Sequence, residues 1–336
     1  MPTREAEPMP PSAEWLNRAM AALQANAEYD VAGFAGHVGC DRGDVAGVIE
    51  TLALMGVPVI SLYGRILLRE QMNGLNVSSV RARLPAAVQS RIAAFEGLMV
   101  TESTNEYLIR LDTPLFDGYH LCHAESQTRG RGRRGRAWFS PFGSNLYLSL
   151  AFDAAPDEGI RSDLSLTVAV SLADALQRFG LSEVGLKWPN DLYWSGRKLG
   201  GVLIEQRIDG RGWSRFVIGV GINISMPTRR ADWIDQPWAD LQTAMGCAVD
   251  REALAAEVVG GLCETLDVYR RDGSARLLVK WPDYDVFMNA PVSVTVGAQN
   301  VRGTACGVDE QGRLRLLTDN GLQVFDSGEV SLRPIR

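Results

Sequence analysis

Residues 129–136 read RGRGRRGR, five arginines and three glycines in succession. A glycine chain that concentrates guanidinium groups in this way suits a loop that folds over phosphates or a carboxylate when ligand arrives. Strand-like runs on both sides, residues 119–125 and 146–152, place the loop inside a folded domain. That placement, and the single occurrence of the run, favour an anion-clamping loop over a solvated arginine tract or an RGG-like RNA contact. Trp138 and Phe139 follow at once. Trp138 suits packing over a flat ligand ring, and Phe139 suits core anchoring.

The chain has 336 residues, more than one ordinary domain of roughly 100 to 200 residues, so two or three domains are expected. Its 46% apolar and 22% charged residues exclude a disordered or fibrous protein. Residues 15–25, 31–38 and 41–55 carry apolar positions at helical spacing, with a turn at Gly39 and Cys40. Two short strand-like runs, 57–62 and 65–69, follow around Tyr63-Gly64. This is the pattern of a winged helix-turn-helix. Residues 73–85 form a polar connector suited to a linker or a short ordering helix. From 86 to 283, strand-like runs alternate with helices at 164–179 and 251–272, which reads as an α/β domain of catalytic size. Short β runs from 291 onward, separated by Gly and Asp turns, suggest a small barrel.

Charge narrows the partners. The net charge of −6 gives no global attraction to nucleic acid or anionic lipid, so any polyanion site is local. Between residues 31 and 65 two bases, Arg42 and Arg65, face the acids Asp41, Asp44 and Glu50. A helix that reads the major groove normally brings Lys or Arg to phosphates and Arg, Asn or Gln to bases, so pattern argues for DNA binding here and charge against it. No apolar run approaches the roughly 18 residues that span a bilayer, and the first twelve residues lack a basic and apolar leader, which points to the cytoplasm. The five cysteines are scattered without a CxxC and read as reduced core thiols.

Only three of the 34 basic residues are lysines, Lys187, Lys198 and Lys280. Where Arg is the default cation, a lysine is more often a specific choice. Lys198 is the second residue of RKLGGVLI, where strict alternation puts it on one face with Gly200, Val202 and Ile204. An ammonium beside a side-chain-free position on an apolar face calls for an anion, which makes Lys198 the leading catalytic candidate. Asp191, at the end of KWPND, suits either a phosphate-bound metal or a turn cap. Ser103, Thr104 and Asn105 precede a helical run and suit either capping or a small polar ligand. Gly219 and Gly221 follow a strand, but Ile224 stands where the dinucleotide motif requires glycine. The HLCH sequence at 120–123 lies in a strand with no second ligand pair, which favours a structural role.

Together ESTN (102–105), ESQTRGRGRRGRAWFSPFGSNLYLSL (125–150), KWPNDLYWSGRKLGGVLIE (187–205) and IGVGINIS (218–225) resemble the bacterial biotin-protein ligases of the bifunctional type, which also repress the biotin operon. The likeness is dense from Leu98 to Asn223 and stays in register through NAPVSV, GVDEQGRLRLL and SGEVSLR in the tail. It implies an α+β multidomain protein. Its parts would be a winged helix-turn-helix (1–72), a linker (73–85), a catalytic α/β domain like class II aminoacyl-tRNA synthetases (86–283) and an SH3-like barrel (284–336).

The resemblance further implies that biotin is activated with ATP and Mg²⁺ to biotinyl-5'-adenylate. Biotin then passes to a lysine of the biotin carboxyl carrier domain of acetyl-CoA carboxylase. Ser103, Thr104, Asn105 and Gln127 would meet the biotin rings, and Gly201, Leu203, Gly219 and Gly221 would line the pocket. Gly130, Arg131, Gly132 and Arg133 would close over the ligand, with Arg133 and Lys198 carrying the chemistry. Trp138, Asp191, Asn223 and Arg333 would lie on the nucleotide side, Asp191 towards Mg²⁺. Operator DNA, met through Arg42 and Arg65, and a ligand-promoted homodimer complete the implied partners. Competing readings are a repressor that senses the adenylate, a ligase whose N-terminal module is purely structural, an RNA-binding protein and a lipoate-type ligase.

Overall fold

The computed structural model describes residues 11–25, 28–70, 72, 74–115, 118–156, 158–227, 234–296, 299–326 and 330–334. The first helix, α1 (Ala13–Gln24), starts where the Ser12 side chain accepts the Trp15 N–H, and it buries the stripe Leu16, Ala19, Met20 and Leu23. After the two-residue strand β1 (Tyr29–Asp30), Asp30 caps α2 (Val31–Val38), which ends at a left-handed Gly39. The third helix, α3 (Val45–Met55), starts four residues later than its sequence pattern suggests, because residues 42–44 form a turn. The hairpin β2 (Val59–Leu62) and β3 (Arg65–Leu68) then pairs with β1 in the order β1-β3-β2. Val100 and Phe142, from the following domain, complete the core of this module.

The polar connector holds α4 (Val77–Arg83), capped by Asn76, and α5 (Ala86–Gln89) follows it. The central sheet comprises β4 (Ile92–Thr101), β5 (Tyr119–Gln127), β6 (Asn145–Ala154), β7 (Val184–Lys187), β8 (Asp191–Trp194), β9 (Arg197–Ile208) and β10 (Ser214–Asn223). Their order is β4-β5-β6-β10-β9-β8-β7. Only β4 and β5 pair in parallel, joined by the crossover helix α6 (Thr104–Ile109); the other neighbours are antiparallel. The long helices α7 (Leu164–Phe179) and α9 (Arg251–Asp272) pack together on one face and bury Leu166, Val170, Leu254, Val258 and Leu262.

Short helices α8 (Leu241–Met245), α10 (Ala275–Leu278) and α11 (Trp281–Tyr284) lead to the tail. Its strands β11 (Pro291–Val296), β12 (Gln299–Val308), β13 (Leu314–Thr318), β14 (Gly321–Phe325) and β15 (Val330–Pro334) form an antiparallel sheet ordered β14-β13-β12-β11-β15. Trp188 Nε1 donates to Gly312 O at 3.0 Å, and Val286 N to Leu186 O at 3.0 Å, so the tail is tied to the central sheet. Among the described residues no helix is long and apolar enough to cross a membrane. Cys122 and Cys263 are buried thiols, but Cys247 is exposed at the start of the turn between α8 and α9, which corrects its reading as a core residue.

His123 is buried within β5, where its Nε2 lies 3.0 Å from Glu125 Oε1 and its Nδ1 3.0 Å from Tyr147 O. Arg251 Nη2 reaches the other Glu125 oxygen at 2.7 Å, and Leu75 N–H donates to Oε1. Burial alone would raise the Glu125 pKa; the His123 hydrogen bond and the His123 and Arg251 charges outweigh it and hold it down to about 2. His123 of the HLCH run is thus a structural group: it holds the Glu125 carboxylate, which in turn ties connector, sheet and α9 together.

Candidate active site

On the face of the central sheet away from α7 lies a cavity of about 580 Å³. Along β10, Ile218, Val220 and Ile222 go to the core while Gly219 and Gly221 alternate with them on the cavity side. A Cβ on Gly219 would stand 2.4 Å from Asn105 Oδ1, and one on Gly221 2.7 Å from the Trp138 indole. The two glycines make room for these side chains, which explains the glycine pattern without a dinucleotide.

The register of β8 and β9 places Lys198. Asp191 pairs with Gly201 and Leu192 with Gly200, but Tyr193 pairs with Lys198, leaving Leu199 as an extra residue. Such a bulge reverses the alternation beyond it. Lys198 therefore turns to the side of Gly201 and Leu203, whereas strict alternation puts it with Gly200, Val202 and Ile204. A Cβ on Gly201 would lie 3.5 Å from Lys198 Cε, and Leu199 is fully buried in the core.

The cavity floor is formed by the neutral side chains of Thr104, Asn105 and Gln127, each of them hydrogen-bonded. Asn105 Nδ2 donates to Glu205 Oε2 at 2.8 Å and Leu203 O at 3.2 Å, and the buried Ser149 hydroxyl donates to Asn105 Oδ1 at 2.6 Å. Thr104 N–H donates to Gln127 Oε1 at 2.9 Å, and Gln127 Nε2 to Ser140 Oγ at 3.2 Å. Ser103 precedes α6 without making a capping bond, and its side chain serves the cavity wall. Fixed amides and hydroxyls of this kind orient a small uncharged ring that has both donors and acceptors.

The opposite end is cationic. Lys198 Nζ lies 2.7 Å from Asp191 Oδ1 and 5.4 Å from the Trp138 ring centre. The arginine run folds into a tight turn in which Trp138 N donates to Gly130 O at 2.8 Å and Gly132 N to Arg136 O at 2.7 Å. Gly130 lies so close to Trp138 O that a Cβ would stand 2.7 Å from it. Arg131 pairs with Glu106 and, at 3.4 Å, with Glu205. Arg133 lines the cavity, where burial first and then the Arg134 charge lower its pKa, a repulsion that an anion relieves. The buried Trp138 Nε1 meets no acceptor among the described residues.

Of the sequence candidates, Ser103, Thr104, Asn105, Gln127, Gly130, Arg131, Gly132, Arg133, Trp138, Asp191, Lys198, Gly201, Leu203, Gly219, Gly221 and Asn223 all line this one cavity. Asn223 also spends its Nδ2 on Ala239 O at 3.0 Å, so it holds the 238–240 segment in place. Arg333 pairs with Ser293 in the tail sheet, but its side chain lies outside the described residues. Arg42 and Arg65 are remote, and Arg65 is paired with Glu28 at 2.6 Å. Sequence reasoning missed Asn190 and Asp235 on the lining, and Ser149 and Glu205, which hydrogen-bond Asn105; a lone serine within the apolar run LYLSLAF was the one available signal. Among the described residues no three metal-binding side chains converge. Mg²⁺ commonly takes one or two carboxylates and completes its shell with phosphates and water, so Asp191, with Asp235 also on the lining, fits a phosphate-borne ion and not a protein cage.

Residues 97–223 match the biotin/lipoate A/B protein ligase family, and residues 287–333 match the biotin protein ligase C terminal domain. The chain is 36% identical over 314 residues to the bifunctional ligase/repressor BirA of Escherichia coli, covering 93% of this chain and 95% of that protein. It is 31% identical over 240 residues to the biotin–[acetyl-CoA-carboxylase] ligase of Paracoccus denitrificans, covering 68% of this chain and 97% of the relative. The biotin protein ligase from Aquifex aeolicus, solved in complex with biotin and ATP, superposes with a TM-score of 0.61 at 26% identity, covering 73% of this chain and 99% of that one.

Proposed function

The chain belongs to the biotin protein ligase family, and from that premise we propose how its own cavity works. The protein joins biotin to a lysine of the biotin carboxyl carrier domain of acetyl-CoA carboxylase, consuming ATP and releasing AMP and pyrophosphate. The observation that carries this reading is the joining, within one cavity, of the neutral Thr104–Asn105–Gln127 floor to the Lys198 and Arg133 cations. The floor takes the biotin rings. The cations receive the valerate carboxylate and the α-phosphate side by side.

In the first step a carboxylate oxygen attacks the α-phosphorus, the bond to the bridging oxygen breaks, and pyrophosphate leaves. Two anions must approach, so fixed positive charge aimed at the phosphorus is the main catalytic need. Lys198 supplies it from a bulged strand, and Arg133 from the loop. Mg²⁺, carried on the phosphates beside Asp191, would neutralise the departing pyrophosphate. In the second step the carrier amine attacks the acyl carbon, AMP departs, and the amine loses a proton. Gly130 to Arg133 shield the mixed anhydride from water meanwhile. Trp138 covers the adenine, with Asn223 and Arg333 on the same side.

The N-terminal module is read as a winged helix-turn-helix, the tail as an SH3-like barrel, and the middle as the class II synthetase-like domain, with boundaries at 1–72, 73–85, 86–283 and 284–336. The likeness to the bifunctional ligase/repressors supports an operator-binding role for a ligand-promoted dimer. Local chemistry makes that role conditional: the exposed positions of α3 are Ala46, Glu50, Ala53 and Leu54, none of them basic, and Arg42 stands just ahead of the helix. Incubation of the protein with biotin, ATP, magnesium and a purified biotin carboxyl carrier domain should add one biotin to one lysine, read by intact-mass and peptide spectra. An unmodified carrier would overturn the proposal.

A further inference from the structure

Beside the cavity floor, β9 contributes one acid, Glu205, for which the chemistry above has no use. Its Oε2 accepts from Asn105 Nδ2 at 2.8 Å, and Leu203 O accepts from the same nitrogen at 3.2 Å. A carboxylate and a carbonyl have no hydrogen to give, so the Asn105 amide has one orientation, its nitrogen towards β9 and its Oδ1 the other way. The other Glu205 oxygen lies 3.4 Å from Arg131, whose closer partner is Glu106.

That orientation is passed along the floor. Ser149 Oγ, fully buried, lies 2.6 Å from Asn105 Oδ1 and 2.7 Å from Thr104 Oγ1, and a hydroxyl has a single hydrogen. Oδ1 can only accept, so the Ser149 hydrogen goes to it. The Thr104 hydroxyl then turns its own hydrogen to the protein, towards Ser149 Oγ at 2.7 Å or Gln127 Oε1 at 3.3 Å. Thr104 lines the cavity, and what its oxygen offers a ligand there is a lone pair. A flipped Asn105 would reverse the chain: Nδ2 would donate to Ser149, Ser149 to Thr104, and the Thr104 hydrogen would be released to the cavity.

We propose that Glu205 is a positioning residue that sets the donor–acceptor polarity of the ring-binding floor: by holding Asn105 in one orientation it makes Thr104 an acceptor, and so selects a ring that offers an N–H at that point. A cyclic urea offers one; a dithiolane or an alkyl chain does not. A hydrogen bond to a charged acceptor is roughly twice as strong as a neutral one, which is why the carboxylate, more than the Leu203 carbonyl, holds the amide. This inference rests on the biotin reading of the cavity.

Steady-state pyrophosphate release by the full chain, with biotin and ATP varied in turn, tests it. Glu205→Ala should raise the KM for biotin by about tenfold or more, as a mismatched buried polar group does, while kcat and the KM for ATP hold. A general loss of fold or of loop closure would move all three. Glu205→Gln keeps an acceptor oxygen without the charge and should recover most of the affinity, which a role confined to the Arg131 ion pair does not allow. Ser149→Ala, on the other side of the same amide, should also raise the KM for biotin. The double variant should rise by less than the product of the two, because both act through Asn105. If Glu205→Ala does not fold, Glu205→Leu, of closer volume and equally without an acceptor, gives the same reading. An unchanged KM for biotin without the carboxylate, Glu205→Gln as impaired as Glu205→Ala, a parallel rise in the KM for ATP, or independent effects in the double variant would each overturn the role of Glu205. Absence of biotin-dependent pyrophosphate release from the parent would instead overturn the biotin reading beneath it.

Discussion

Lys198 Nζ lies 2.7 Å from Asp191 Oδ1, with the two side chains only 14% and 19% exposed. The ammonium thus waits in the cavity already paired, on the edge of a site whose other end is neutral. On the proposed reading an arriving carboxylate and α-phosphate would compete for it, leaving Asp191 able to face a cation carried on the phosphates. We expect Lys198→Ala to cut biotin-dependent pyrophosphate release by on the order of 100-fold or more, as loss of one fixed oxyanion donor does, with the circular dichroism spectrum unchanged. Release near the parent rate would remove Lys198 from the chemistry.

Arg133 lies on the glycine-flanked loop, with its pKa lowered first by burial and then by Arg134. On the proposed reading Lys198 carries most of the first step, and the Arg133 charge adds to it while chiefly retaining the anionic intermediate. Arg133→Gly should still make the adenylate but leak it, biotinylating bystander lysines of an added protein such as serum albumin. A variant that is simply inactive, or as selective as the parent, contradicts the retention role.

Glu125 links the connector to the sheet and α9, and its pKa is held near 2 by His123 and Arg251 against the opposing effect of burial. A carboxylate whose folded pKa is depressed contributes stability that is complete above its unfolded value and is lost as pH falls through the folded one. That contribution should be full above about pH 4.5 and fade progressively towards about pH 2. Removing one partner of a buried ion pair costs about 3–5 kcal/mol, so Glu125→Gln should lower the Tm at pH 7 and flatten its fall below pH 4.5. A Tm profile that stays parallel to that of the parent would show that Glu125 carries no such linkage.

DNA binding is where family likeness and local chemistry meet. With Arg42 the one basic residue beside α3 that makes no ion pair among the described residues, and Arg65 engaged by Glu28, a single module should bind weakly, with a shallow dependence on salt. Two modules presented by a dimer add their contacts. Retardation of upstream DNA from a biotin gene should therefore need biotin and ATP and vanish in Arg42→Ala, while deletion of residues 1–76 leaves part of the ligase activity. Tight binding without ligand, or none with it, would contradict this account of the module.

Much of this was legible before any coordinates. The RGRGRRGR run declared itself by composition, and the long helices α7 and α9 by their apolar spacing, because both signals are local. Strand β4 escaped notice: IAAFEGLMVT mixes small and charged residues, as suits an edge strand whose partners are α1 and β5. The side on which Lys198 projects was misread because a one-residue bulge at Leu199 leaves no mark in an alternation pattern. Gly219 and Gly221 made sense only once Asn105 and Trp138, more than 80 residues away in sequence, stood against them. The packing of Phe142 into the core of the N-terminal module was likewise invisible, since nothing in FSPFG distinguishes an aromatic that fills its own domain from one that fills its neighbour.

The most direct test of the central claim is pyrophosphate release from ATP by the purified full-length chain, with biotin, lipoate and octanoate supplied in turn. The Thr104–Asn105–Gln127 floor, with donors and acceptors fixed around a small ring, predicts release with biotin and little with the two acids that lack a polar ring. Equal release with all three, or release only with lipoate or octanoate, would contradict the assignment of the cavity to biotin.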